Sequence, residues 1–179
     1  MKYRKVHNLI FLIILLISQR ILANKIRIGI LRHDLGYKFG IRGKLRQRYE
    51  KGSDINLEYL FNDDEYKFLF GYPHIGTNIN SKKCTSNIYS GITWHFDIMK
   101  YVFLEATFGF GIHNGELEKL QQRRRALGTR FLFRESLSLG VMIQEKHTVA
   151  LIVDHLSNAG LGKFNPGLTN LGVRYGYKF

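Results

Sequence analysis

From residue 24 onward the chain is written in alternation. In one stretch Phe131, Phe133, Leu137 and Leu139 share a parity, opposite Arg130, Leu132, Arg134, Ser136 and Ser138. In the last stretch Leu171, Val173, Tyr175, Tyr177 and Phe179 oppose Gly172, Arg174, Gly176 and Lys178. A repeat of two is the signature of a β-strand, whose successive side chains leave opposite faces. Eight such runs, rich in β-branched and aromatic residues, are predicted at 25–40, 54–61, 66–76, 87–98, 101–113, 128–143, 147–157 and 169–179. Gly, Asn, Asp and charged residues punctuate them. Short turns fall at Asn62-Asp63-Asp64, Met99-Lys100 and Gln144-Glu145-Lys146, and longer connections at 42–53, 77–86, 114–127 and 158–168. Short and long therefore alternate, as in an up-and-down barrel with tight turns at one rim and loops at the other. A soluble barrel buries its apolar face. Here the inward set would be small or charged and the outward set large and apolar, which places lipid outside. The pattern predicts an all-β fold, an eight-stranded antiparallel up-and-down outer-membrane β-barrel.

The first 23 residues read differently. Lys2, Arg4 and Lys5 precede an unbroken apolar run from Leu9 to Ile17, and Ile21-Leu22-Ala23 ends on a small residue. That is the plan of a secretory signal peptide, and the run is too short to cross a bilayer as a helix. Residues 24–179 are then left as a single transmembrane β-barrel domain. The formal charge is +13, and removing the four basic residues of 1–23, which has no acidic ones, leaves +9. Such an excess asks for an anionic partner, and for an exported protein phosphorylated lipid fits better than nucleic acid. Cys84 is the sole cysteine, so no intrachain disulfide forms. His33, His74, His95 and His113 lie in no HExxH or CxxC setting, and no metal or other cofactor is expected.

Candidate chemistry sits at the end of the seventh run. His155 and Ser157 are two apart, so they share a face, and it is the face of Leu151 and Val153, which should meet lipid near the rim. A base beside a hydroxyl is the minimum for a serine nucleophile. On spacing alone, the pair also reads as two polar residues at a strand end. Asp154 has the opposite parity and is expected inside the barrel, paired with Arg130, Arg134 or Arg174.

The residues around that pair carry more. His155-Leu-Ser157-Asn158-Ala159-Gly160, Asn165-Pro166-Gly167 and the terminal Tyr175-Gly-Tyr-Lys-Phe179 resemble the lipid A 3-O-deacylases of the PagL type, the acyloxyacyl hydrolase family. Looser likeness extends back through Gly128 to Ser136 and Gly109 to Gly115. The resemblance implies an outer-membrane enzyme that hydrolyses the ester-linked 3-O-acyl chain of lipid A in lipopolysaccharide, with a Ser-His-acid triad and no metal. Carried over, Ser157 is the nucleophile and His155 the general base. Asn158 and the backbone at Ala159 and Gly160 lie near the oxyanion, and Asn165 matches a family polar position. No homodimer is indicated. Arg123, Arg124 and Arg125, in the long loop before the sixth run, offer bidentate contacts to lipid A phosphates, or else form a solvated basic loop.

One departure matters. Thr169 stands where better-known members of the family place a glutamate, so either activity is reduced or another acid serves. Strand geometry offers Glu135. If Gln144-Glu145-Lys146 is a turn and Ile143 pairs with His147, His155 sits directly opposite Glu135. Two other readings stay open: a non-catalytic barrel with a structural or adhesive role, favoured by Thr169, and an esterase acting on another lipid.

Overall fold

The structure is a computed structural model that describes residues 24–36, 50–118 and 124–179. The expected signal peptide at 1–23 and part of the expected first loop lie outside the described residues. Eight strands follow in order: β1 (Lys25–Arg32), β2 (Ser53–Leu60), β3 (Tyr72–Asn80), β4 (Asn87–Met99), β5 (Val102–His113), β6 (Phe131–Ile143), β7 (His147–Ser157) and β8 (Leu168–Lys178). Each pairs antiparallel with its sequence neighbours, and β8 returns to β1 from Lys25↔Lys178 to Arg32↔Leu171, closing the barrel. This is the predicted eight-stranded architecture.

Four boundaries differ from expectation by more than one residue. The first strand ends at Arg32, and residues 37–40 of the expected run lie outside the described residues. The third strand begins at Tyr72 rather than 66 and runs on to Asn80 rather than 76, into the expected long connection. Its missing part holds a one-turn 3-10 helix, Asp64–Tyr66, and a tight turn in which Phe68 and Gly71 exchange backbone hydrogen bonds of 2.8 and 2.9 Å. Leu69 and Phe70 adopt φ of 48° and 63° there, which no ladder accommodates. The sixth strand starts at Phe131 because Gly128, at φ 81°, belongs to the loop.

The inversion of faces is plain in the exposures. Ile30 is 70% and Leu151 60% exposed, whereas Arg134 and Arg174 are 1% and 2% exposed. The interior is held by ion pairs rather than by an apolar core. Arg27 bonds Glu58 at 2.7 Å and reaches Glu105, Arg174 bonds Glu58 at 3.0 Å, and Arg134 pairs with Asp154 at 2.7 Å. Asp154 thus meets one of its three expected partners. The Arg134 guanidinium also lies 3.6 Å from the centroid of the Tyr89 ring. Buried charges persist when each has a counterion, as these do.

The long-loop rim is closed by a second network. Arg125 grips Asp34 with two bonds of 2.9 and 2.8 Å and donates its backbone N–H to Glu50 at 2.6 Å. Glu50 also takes the Thr85 hydroxyl at 2.8 Å. His33 is wedged between Asp54 at 2.8 Å and Glu50 at 3.0 Å. Burial alone would disfavour its charged form, but those two carboxylates outweigh it and push His33 up to about 9. Burial would likewise raise Asp34 and Glu50, and the bonds from Arg125 and His33 instead hold both below the usual carboxylate range. The connections at 33–36, 50–52, 81–86 and 124–127 are tied together here, beside the end of β7.

Candidate active site

Three strands build the site. β6 and β7 pair with Glu135 opposite His155 and Phe133 opposite Ser157. β7 and β8 pair with His155 opposite Thr169. The residues between them alternate strictly: Asp154 and Leu156 point inward and are buried, while His155 and Ser157 follow the outward Leu151 and Val153 and are half-buried. The catalytic pair expected from the sequence therefore lies on the lipid-facing wall, at the long-loop rim.

Leu156 explains why the strand holds its line to that point. It is 1% exposed and packs inside with Leu127, Leu132 and Leu168, a small apolar plug in an otherwise ionic interior. The plug fixes the backbone that carries His155 on one side and Ser157 on the other.

The imidazole is oriented by a hydroxyl. His155 Nδ1 lies 2.8 Å from Thr169 Oγ1. With Nδ1–H donating to that oxygen, the tautomer leaves Nε2 with its lone pair for a proton acceptor's work. The ring also rests on Gly167, at φ 64°, where an added Cβ would come within 2.7 Å of His155 Cε1. Glycine in the Asn165-Pro166-Gly167 stretch thus serves both a left-handed turn and the imidazole's seat. Glu135 is exposed on the other side of His155, and among the described residues no hydrogen bond joins the two. Nor does one join Ser157 to His155, a contact that in free enzymes often tightens only with substrate.

The following loop commits its polar groups unevenly. Asn158, 2% exposed, donates its side-chain amide to Leu127 O at 2.9 Å and Phe164 O at 2.6 Å, and its backbone N–H to Asn165 Oδ1 at 3.1 Å. Its own Oδ1 accepts from the Gly160 N–H at 2.9 Å. Asn158 and Gly160, expected near the oxyanion, are thereby spent on loop structure. Of the side-chain and backbone groups expected near the oxyanion, the Ala159 N–H and the Asn165 Nδ2 make no hydrogen bond among the described residues.

The basic loop also divides. Arg123 lies outside the described residues. Arg124 gives its guanidinium to the carbonyls of Asn114 and Lys83, both at 2.9 Å. Arg125 is 2% exposed and locked on Asp34, so it is a rim strut and not a grip for substrate. Beside Ser157, Phe133 packs with Phe110 and Phe108 at centroid distances of 5.2 and 5.9 Å, an aromatic strip on the lipid-facing wall.

Thr169 and Gly167 are the site contacts that sequence reasoning missed. The signal for Thr169 was its alignment with the family acid, which marks the place from which a partner reaches the imidazole.

Comparison with known proteins places the chain in a family and supports the barrel fold. Residues 34–178 match the model of one family, lipid A 3-O-deacylase (PagL). The crystal structure of the outer membrane enzyme PagL superposes with a TM-score of 0.61 at 16% identity, covering 87% of this chain and 99% of that one. The N-terminal β-barrel domain of Pseudomonas aeruginosa OprF gives a TM-score of 0.58 at 12% identity, covering 88% and 98%. A de novo designed transmembrane β-barrel gives 0.51 at 9% identity, covering 88% and 96%. At such identities these likenesses speak to the fold. No curated protein matches the sequence.

Proposed function

The chain belongs to the lipid A 3-O-deacylase (PagL) family, and from that premise we propose that it is an outer-membrane serine esterase releasing the 3-O-linked acyl chain of lipid A. The observation that carries the serine mechanism is the placement of His155 and Ser157 on the lipid-facing wall, with His155 Nδ1 held by Thr169. A lipid ester reaches such a pair sideways from the membrane, with no pore or internal cavity needed.

In this mechanism His155 Nε2 takes the proton of Ser157 as Oγ attacks the ester carbonyl carbon. The Ala159 N–H and Asn165 Nδ2, which make no other hydrogen bond among the described residues, serve as the donors to the tetrahedral oxyanion. Collapse breaks the bond to the sugar 3-oxygen, which leaves with the proton from His155. Water, deprotonated by the same imidazole, then releases the fatty acid from Ser157. The Phe108, Phe110 and Phe133 strip gives the departing chain an apolar bed beside the nucleophile.

Thr169 orients the imidazole without charge, and Glu135 supplies the negative charge from the neighbouring strand β6. A second reading, a barrel without catalysis, is favoured by one observation: a hydroxyl rather than a carboxylate touches Nδ1. Mass spectrometry of lipid A from cells with this barrel in the outer membrane separates the two. The enzyme removes one 3-O-hydroxyacyl mass, and Ser157→Ala abolishes that loss. Unchanged lipid A beside a folded barrel would leave the non-catalytic reading in place, and fatty acid released from phospholipid alone would redirect it to another lipid.

A further inference from the structure

The outward face of the barrel is nearly free of charge, and where the charges fall is informative. Across all eight strands, the outward positions carry a full charge at two residues among those described, Arg32 on β1 and Glu135 on β6. Elsewhere that face is Ile, Leu, Val and aromatic side chains, with few hydroxyls. Strand order places the two charges on either side of His155 and Thr169, in the sequence β6–β7–β8–β1. An ionised side chain on a lipid-facing wall is unfavourable unless it sits near the interface or meets a counterion.

Arg32 has no such partner among the described residues. It is exposed, follows the outward Ile26, Ile28 and Ile30, and makes no ion pair or hydrogen bond among the described residues. Its neighbours in the sheet are Leu171 and Ser53, neither anionic. Leu171 in turn pairs with Val153, two residues below His155 on the same face. One strand, β8, therefore separates the Arg32 column from the His155 column, a lateral distance of about 10 Å between backbones. A long cationic side chain on such a wall extends toward the headgroup level, which here is the level of His155 and Thr169.

We propose that Arg32 binds the phosphate on the same sugar that carries the scissile ester, and so sets which ester of lipid A meets Ser157. This rests on the deacylase reading above and names how the substrate is oriented. The chemistry follows from the substrate. The 3-O-ester and the 1-phosphate belong to one glucosamine ring, one ring carbon apart. When the ester carbonyl lies at Ser157, the phosphate is confined to the neighbouring stretch of wall. A guanidinium recognises a phosphate through two parallel charge-assisted bonds, giving orientation as well as affinity. The basic loop once suited to that role is instead occupied, since Arg125 holds Asp34 and Arg124 holds backbone carbonyls.

The test compares bisphosphorylated, 1-dephospho and 4'-dephospho lipid A in detergent micelles. Binding is measured on the folded Ser157→Ala barrel and hydrolysis on the wild-type barrel. The 1-phosphate should tighten binding about tenfold, the scale of one charge-assisted bidentate contact. Adding Arg32→Gln to the barrel should erase that preference, with the loss in hydrolysis falling on KM, and Arg32→Lys should restore part of it. A preference that survives Arg32→Gln overturns the proposal. So does a preference that follows the 4'-phosphate, or equal competition by phosphatidylglycerol, which would make Arg32 a general headgroup contact. If the 1-phosphate preference depends on Arg32 but no ester is cleaved, the phosphate site stands and the esterase reading fails.

Discussion

At the residue scale, the site is an imidazole held by a neutral group where a carboxylate would be usual. A hydroxyl fixes the tautomer but does nothing for the positive charge that His155 acquires in the proposed attack by Ser157. The division of labour between Thr169 and Glu135 makes distinct predictions. Thr169→Val should lower kcat about tenfold, the cost of one orienting hydrogen bond in the transition state. Thr169→Glu should raise kcat above wild type by joining orientation and charge in one group. Glu135→Gln should lower kcat on its own, and the double variant Glu135→Gln with Thr169→Val should be slower than either. A double variant no slower than Thr169→Val alone would remove Glu135 from the mechanism. His155, Ser157 and the Glu135–His155 pairing were legible in the sequence because a tight turn at Gln144-Glu145-Lys146 leaves β6 and β7 one register. The Thr169 contact was not, since the connection 158–167 lets β8 meet β7 in several registers. Nor does alternation say which loop cation turns inward, which is why Arg125 reads as exposed until its partner Asp34 is seen.

At the element scale, β7 is a beam whose inner face is pinned so that its outer face can work. Leu156 joins Leu127, Leu132 and Leu168 in an apolar cluster at this rim, drawn from the loop before β6 and from β6, β7 and β8. Leu156→Ala should cost about 3 kcal/mol of stability through lost contact and cavity. Activity should fall further than global unfolding explains, because the end of β7 is freed before the barrel opens. Denaturant titration of the folded barrel, read beside hydrolysis in the folded range, checks both. Equal activity per folded molecule would show that the plug has no part in aligning the pair. Most strands are legible as elements, yet the expected third run is shifted toward the N-terminus, starting before and ending short of β3. Phe68-Leu69-Phe70 is as apolar as any strand, and only the left-handed φ at Leu69 and Phe70 takes it out of the ladder.

At the scale of the whole molecule, the barrel is an ionic column with a lock at its long-loop end. His33 carries its proton between Asp54 and Glu50, and its native affinity for that proton is raised to about 9 from an ordinary 6.5. A raised value stabilises the fold fully below the unfolded-state value and loses that support as pH climbs through the native one. The wild-type barrel should therefore lose thermal stability between about pH 7 and pH 9.5, and His33→Gln should flatten that slope. Melting followed by circular dichroism across this range tests it, and parallel slopes in both proteins would place the dependence elsewhere. Closure of the sheet has a consequence for when the protein becomes dangerous to lipid. The seam joins β8, which brings Thr169, to β1, which brings Arg32, so closure of the sheet is what sets these two beside His155 and Ser157. On the proposed mechanism, a chain whose sheet is still open already owns its serine and histidine, but it has no grip for a phosphorylated glycolipid until β1 and β8 have met, so that substrate recognition arrives only with closure of the wall.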